Sequence, residues 1–323
     1  MANRTADAPF DRSAIAKTIS DLAERGIFIG TSSWKYSGWV GQLYDESKYL
    51  TRGKFSEKKF EKECLMEYAT VFKTVCVDAA YYRFPEFTYL NSMMSAVPSD
   101  FQFAFKVTDT ITIKKFTNLP RFGERAGKPN ENFLNPVMFE ELFAKQFEPF
   151  RHKVGLFMFE FSKFYPSDYE HGRDFAADLD HFLEQLPKGW PYGVEMRNKH
   201  WLRPDYFAVL RKYNVAHVFN SWADMPPVGE QMALEGSRTN DSLMAARFLL
   251  KPGRKYADSV KLFEPYNETK DPYPEAQAAG AALVTEGLRY EPRRKTYIYV
   301  NNRLEGNALQ TIARILEQVR KGT

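Results

Sequence analysis

The sequence predicts an α/β chain folded as a single (β/α)8 barrel, and three observations predict it. Eight short apolar runs alternate with helix-patterned stretches along the chain. Connections from a helix into the next strand are short, such as 73–74 and 214–215, whereas those leaving strands one, three and seven are long, 32–55, 108–136 and 251–271. In a TIM-type barrel all three long loops open on the C-terminal face, where barrel enzymes build their sites; loops of this length inside a compact domain are usually functional. The chain's 323 residues, 44% hydrophobic and 27% charged, are enough for one such domain.

Residues 1–26 form an N-terminal extension, and the stretch AIAKTISDLAERG within it is amphipathic, so a helix capping the closed end of the barrel is expected. The barrel domain spans 27–322. Strand one is IFIGT (27–31), and after a long loop comes a helix over 56–72. TVCVD (74–78) and FQFAFKV (101–107) are strands two and three, and a helix over 137–150 leads into VGLFMFEF (154–161). A helix over 173–186 precedes YGVEM (192–196), and one over 204–213 precedes AHVFN (216–220). The segment after strand six, DMPPVGEQMALEG, is short and opens on two prolines, so it is the least helical of the set. AARFLL (245–250), a helix over 272–290, TYIYVN (296–301) and a helix over 306–322 complete the barrel.

Composition excludes several classes of function. The formal net charge of +4, from 45 basic and 41 acidic residues, is far from the footprint of a dedicated nucleic-acid binder. Two cysteines, Cys64 and Cys76, without CxxC spacing exclude a disulfide framework and a cysteine-rich zinc site, and fit a reducing, cytoplasmic setting. The start, MANRTADAPFDRSAIAKT, lacks the apolar core of a signal peptide. No run reaches the roughly 18 to 20 apolar residues of a membrane span.

Side chains alternate along a strand, so the more apolar parity of each run faces the surrounding helices and the other faces the barrel axis. Phe101, Phe103 and Phe105 face out, and Gln102, Ala104 and Lys106 face in. By the same rule Cys76, Asp78, Met158, Glu160, Glu195, Arg197, Arg247, Tyr297, Tyr299 and Asn301 face in. Three carboxylates and three cations therefore converge at the strand ends, with Tyr82 and Tyr299 nearby. Isolated charges are costly to bury, so this set must pair internally, meet water or meet a ligand. As a salt-bridge layer, removing one partner costs roughly 3–5 kcal/mol. As a hydrated ligand site, the favoured reading, Glu195→Gln costs within about 1 kcal/mol.

Five ordered blocks also look familiar: GTSSWKYSGWVGQLY (30–44), FKTVCVDAAYYRFP (72–85), FQFAFKVTDTIT (101–112), YGVEMRNKHWL (192–202) and TYIYVNNRLEGNAL (296–309). Together they resemble the YecE-like family, domain of unknown function number seventy-two, over roughly 27–320. The resemblance implies a TIM-type barrel and no established activity. Its matching residues are Trp34, Tyr36, Trp39, Tyr82, Arg83, Pro85, Lys106, Glu195, Arg197, Trp201, Asn301 and Asn302. The chain departs from the pattern at Cys76 and Asp78, where the family usually reads VEIN. It departs again at Ile113, in place of a usual histidine, and at Glu160, in place of a usual glutamine.

The aromatic residues Trp34, Tyr36, Trp39 and Tyr44 in the first loop read either as a stacking wall for a ring or as a loop packed by its own side chains. The basic runs 114–116, 121–128 and 293–295 read as ordinary solvated charge more readily than as a phosphate surface, and KPGRK (251–255) lacks a Gly-rich helix start behind it. The five histidines show no HxH or HExxH spacing. A metal set of Glu160, Glu195, His217 and Asp224 is conceivable, but His217 shares parity with Phe219 and so points outward. No metal and no cofactor are expected, and Cys76 reads as a buried inert thiol. The reading is a small-molecule enzyme for a polar, anionic or sugar-like compound, working by acid–base or hydrolytic chemistry. Glu195 is the base or nucleophile, Glu160 its acid partner and Asp78 the third carboxylate, since neighbouring carboxylates can have their pKa values driven apart. Lys106, Arg197 and Arg247 anchor an anion, with Asn301, Tyr82, Trp34, Tyr36 and Trp39 lining the site. The alternatives are a non-catalytic ligand- or nucleic-acid-binding barrel and a metal-dependent isomerase or phosphodiesterase. Nucleic acid is the less expected partner, and no membrane partner is expected.

Overall fold

A computed structural model describes residues 9–290 and 293–322; residues 1–8 of the N-terminal extension lie outside the described residues. Eight parallel strands close into a barrel in sequence order. They are β1 (Ile27–Thr31), β2 (Thr74–Val77), β3 (Gln102–Lys106), β4 (Val154–Phe161), β5 (Tyr192–Met196), β6 (Ala216–Ser221), β7 (Leu243–Phe248) and β8 (Lys295–Val300). Ile27 pairs with Thr296 and Thr31 with Val75, which joins the last and second strands to the first.

The predicted parity holds. Cys76, Ala104, Met158, Val218, Tyr297 and Tyr299 pack around the axis. The two tyrosines are the bulk of this filling. Tyr299 Oη lies 2.9 Å from Thr74 Oγ1, and Tyr297 Oη donates to Gln102 Oε1 at 3.4 Å. Gly155 is needed opposite them, because a Cβ there would sit 2.6 Å from the Tyr297 ring and hydroxyl. On the outer face, Phe105 packs on Phe147 with ring centres 4.5 Å apart, and Phe157 on the same ring at 4.9 Å. Fully burying each such side chain stabilises the fold by about 1.5–3 kcal/mol.

Most helices follow the expected pattern. Glu57–Tyr68 starts where the Ser56 hydroxyl accepts from the Lys59 N–H, and Gly172–Glu184 starts where the Asp174 carboxylate accepts from the His171 N–H. The helix expected over 137–150 takes a different form. It opens as Pro136–Met138, widens to a π turn over Phe139–Phe143 and tightens to 3₁₀ over Ala144–Lys153. Pro149 has no N–H to continue a regular ladder. The segment after β6 forms only Val228–Ala233, and the loop expected over 251–271 after β7 carries a helix, Tyr256–Phe263. Strand β7 starts and ends two residues earlier than expected, because the N–H groups of Leu249 and Leu250 both turn onto the Ser221 carbonyl.

Ahead of β1, Arg12–Glu24 is a helix that buries Ile15, Ile19 and Leu22. The loop after β3 folds on itself around Ile113, Phe116 and Phe122, a small apolar cluster apart from the main core. No helix among the described residues is long and apolar enough to cross a membrane.

Candidate functional site at the barrel mouth

The strand register sets the charges side by side. Glu160 on β4 pairs directly with Glu195 on β5. Lys106 ends β3, Asp78 follows β2, Arg197 follows β5, and Arg247 stands near the end of β7. Two carboxylates in adjacent positions repel unless cations intervene, and here the cations do. Glu160 Oε2 receives Lys106 Nζ, Arg197 Nη2 and Arg247 Nη1, each at 2.8 Å. Glu195 Oε1 accepts from Arg197 Nε at 2.8 Å, and Oε2 accepts from Arg247 Nη1 at 2.7 Å. Asp78 Oδ1 is held more loosely, 3.4 Å from Arg247 Nη2 and 3.9 Å from Lys106 Nζ.

Three carboxylates thus face three cations, and the layer is neutral overall. Its burial is uneven. The Glu195 side chain is 0% exposed and Glu160 3%, whereas Asp78 is 34% exposed. Burial alone pushes the Glu160 carboxyl up, but Arg197, Lys106 and Arg247 outweigh it and hold it far below the ordinary carboxylate range. Burial lowers Lys106, yet Glu160 and Asp78 raise it above the ordinary lysine value.

Flat rings brace the cations from outside. Lys106 Nζ lies 3.8 Å from the centre of the Tyr81 ring, and the Arg197 guanidinium 3.7 Å from that of Trp222. Tyr36 lies near enough to Asp78 to feel its charge, and its ring meets that of Tyr266 at 5.4 Å. Burial pushes the Tyr36 phenol up to about 12, against Arg303, which lowers it. Arg303 itself lies 4.5 Å from the Tyr256 ring centre and has no carboxylate in ion-pair contact among the described residues.

The remaining expected site residues divide. Trp39 is 0% exposed and packs on Tyr36 and Tyr44, so it fills its loop and offers no stacking face; this corrects the expectation for that ring. Trp34 is also buried, and its carbonyl accepts from the Tyr44 hydroxyl. Tyr82 is 61% exposed at the rim, 5.1 Å from the Arg121 guanidinium. Asn301 is buried, and its Oδ1 accepts from the Arg303 N–H at 2.9 Å, which shapes the turn that presents Arg303. Burial raises the Cys76 thiol to about 12, which leaves it protonated and unreactive.

The conceivable metal set is not assembled. His217 stands in the outer layer against Tyr206, Phe207 and Phe219, and Asp224 is paired with Lys163 at 2.9 Å. Among the described residues, no three His, Cys, Asp or Glu side chains are grouped to hold a metal ion. Sequence reasoning missed Tyr81, Trp222, Arg303 and Asn220, whose Nδ2 donates to the Met196 carbonyl while it pairs in register with Arg247. The available signal was position, since Tyr81 adjoins Tyr82, Trp222 lies just past β6, and Arg303 follows Asn301.

Next to this network, the loops after β3 and β4 enclose a cavity of about 590 Å³, with Tyr81 as the shared wall.

A model of the family described as "Protein of unknown function DUF72" matches residues 28–323. Among solved structures, a DUF72 family protein from Enterococcus faecalis is similar at 18% identity, covering 91% of this chain and 95% of its own, with a TM-score of 0.57. A second structure of that protein matches at 16% identity over 91% and 97%, again with a TM-score of 0.57. One from Thermotoga maritima matches at 19% identity over 92% of this chain and 98% of its own, with a TM-score of 0.57. At such identities these likenesses speak for the fold. No curated protein sequence matches.

Proposed function

The chain belongs to the family of proteins of unknown function DUF72, and within it we propose that the barrel mouth takes a small, polar, anionic molecule on which Asp78 acts as base or nucleophile. One observation carries this reading: Asp78 is the carboxylate of the network that reaches solvent, at 34% side-chain exposure. Glu195 has no exposed surface and both of its oxygens bonded, so it positions Arg197 and Arg247 and does not meet a substrate. Glu160, held ionised, has no proton to give near neutral pH. This moves the base or nucleophile from Glu195 to Asp78 and leaves the acid role of Glu160 unfilled.

For the ligand's negative charge, Arg303, close enough to Tyr36 to lower its phenol, is a cation with no carboxylate in ion-pair contact among the described residues. Lys106, braced on Tyr81, and Arg247 lie beside Asp78 with fixed positive charge that favours a developing anion. Acid–base chemistry, hydrolysis included, is the reaction class that such a carboxylate supports.

A second reading, binding without turnover, is favoured by Glu160 being held ionised, with no proton to give. The test is a thermal-shift screen of small anions on the wild type, Asp78→Asn and Arg303→Met, followed by turnover assays on the hits. A hit that shifts the wild type but not Arg303→Met, and that is converted by the wild type but not by Asp78→Asn, supports the catalytic reading. A hit bound without conversion supports the second. A hit bound equally by all three proteins removes the mouth as the site.

A further inference from the structure

The cavity between the loops after β3 and β4 measures about 590 Å³, within the size range of small-molecule pockets. Four cations line it: Lys114, Lys115, Arg121 and Lys163. Two are neutralised. Arg121 Nη1 bonds Asp109 Oδ2 at 2.5 Å, and Lys163 Nζ bonds Asp224 at 2.9 Å. Lys114 and Lys115 have no carboxylate in ion-pair contact among the described residues.

Lys114 is also held in place, its ammonium 3.2 Å from the centre of the Tyr169 ring. Asp168 is the one acid in the lining, and its Oδ2 already accepts from the Tyr165 N–H at 2.9 Å. Much of the remaining wall is flat and apolar, formed by Phe116, Phe164 and Tyr165. Two ammonium groups without an ion-pair partner among the described residues, Lys114 on the Tyr169 ring with Asp178, Asp168 and Asp174 acting on it from further off, fit a compact dianion attached to a ring. A phosphate monoester carries about −1.5 to −2 charge near neutral pH, and lysine serves it as a point charge.

We propose that this cavity is a binding subsite for a ring-bearing organic phosphate monoester, with the phosphate on Lys114 and Lys115. Tyr81, shared with the network, sets the subsite directly beside Lys106, so one ligand can span both. That spanning, but not the subsite itself, rests on the proposed function of the mouth.

The probe is phenyl phosphate, with inorganic phosphate and benzyl alcohol as controls. Each is titrated calorimetrically into the full-length wild type, Lys114→Gln/Lys115→Gln and Asp78→Asn, with all three first shown to be folded by circular dichroism. The expected result is phenyl phosphate binding that weakens at least about tenfold in the double-lysine variant, as loss of charge-assisted bonds requires. Asp78→Asn should keep that binding, and both controls should bind more weakly than phenyl phosphate. Binding lost in Asp78→Asn but kept in the double-lysine variant would place the phosphate at the mouth and overturn the subsite while leaving the mouth reading standing. Absence of phenyl phosphate binding to the wild type at millimolar concentration would overturn the subsite, as would inorganic phosphate binding equally well.

Discussion

Arg247 Nη1 donates to Glu195 Oε2 at 2.7 Å from a strand two places further round the barrel, and both side chains are essentially without exposed surface. The same nitrogen donates to Glu160 Oε2 at 2.8 Å. One guanidinium therefore binds three strands together at the barrel mouth. Its balance depends on every partner being present.

Glu195→Gln removes one negative charge from this neutral, buried layer and leaves Arg197 and Arg247 under-compensated. The expected cost is roughly 3–5 kcal/mol, seen as a lower denaturant midpoint with an unchanged slope. The small cost expected of a hydrated pocket does not fit a carboxylate that is 0% exposed. Asp78→Asn, at a side chain 34% exposed and loosely held, should change stability by less than about 1 kcal/mol. Equal costs for the two substitutions would contradict this division of roles.

Two of the four rings predicted to line the site, Trp39 and Tyr82, should behave differently. Trp39→Ala opens a hole at a side chain with no exposed surface and should cost about 3–5 kcal/mol. Tyr82→Ala, at 61% exposure, should stay within about 0.5 kcal/mol. Thermal melts of both variants decide the matter.

His217 gives stability a specific pH dependence. Burial, aided by Arg238, lowers it from 6.5 to about 3. Below pH 6.5 the unfolded chain takes up a proton that the folded state refuses, so stability is lost as pH falls from 6.5 toward about 3. The slope approaches about 1.4 kcal/mol per pH unit. His217→Gln should flatten this part of the stability curve. An unchanged slope in the variant would assign the loss to other groups.

The ion network adds two windows of its own, one in acid and one in base. Glu160, held below its ordinary 4.5, contributes stability above that pH and loses it as pH falls toward its depressed value. Lys106, raised above its ordinary 10.5, contributes fully below that pH and loses its share as pH rises through its raised value. The stability difference between wild type and Glu160→Gln should therefore be flat from about pH 6 to 9 and shrink in acid. Melts at intervals of one pH unit measure it.

The sequence by itself determined the barrel and its inner face. Strands β1, β4 and β5 stand at the predicted residues, and the parity rule separates Lys106 from Phe105 and Glu195 from Val194. Both follow from local rules, since hydrophobic periodicity and the two-residue alternation of a strand need no knowledge of neighbours. Tertiary structure decided what the inward charges do. Sequence shows that three carboxylates and three cations converge, but burial and pairing depend on how strands far apart in the chain stand in register. That is why Glu195 proves sealed, Asp78 accessible, and Trp39 a loop filler. Register also set Glu160 beside Glu195, and chain closure brought Arg247 across to both. Such long-range pairing is a property of the closed sheet, and no local window of the sequence contains it.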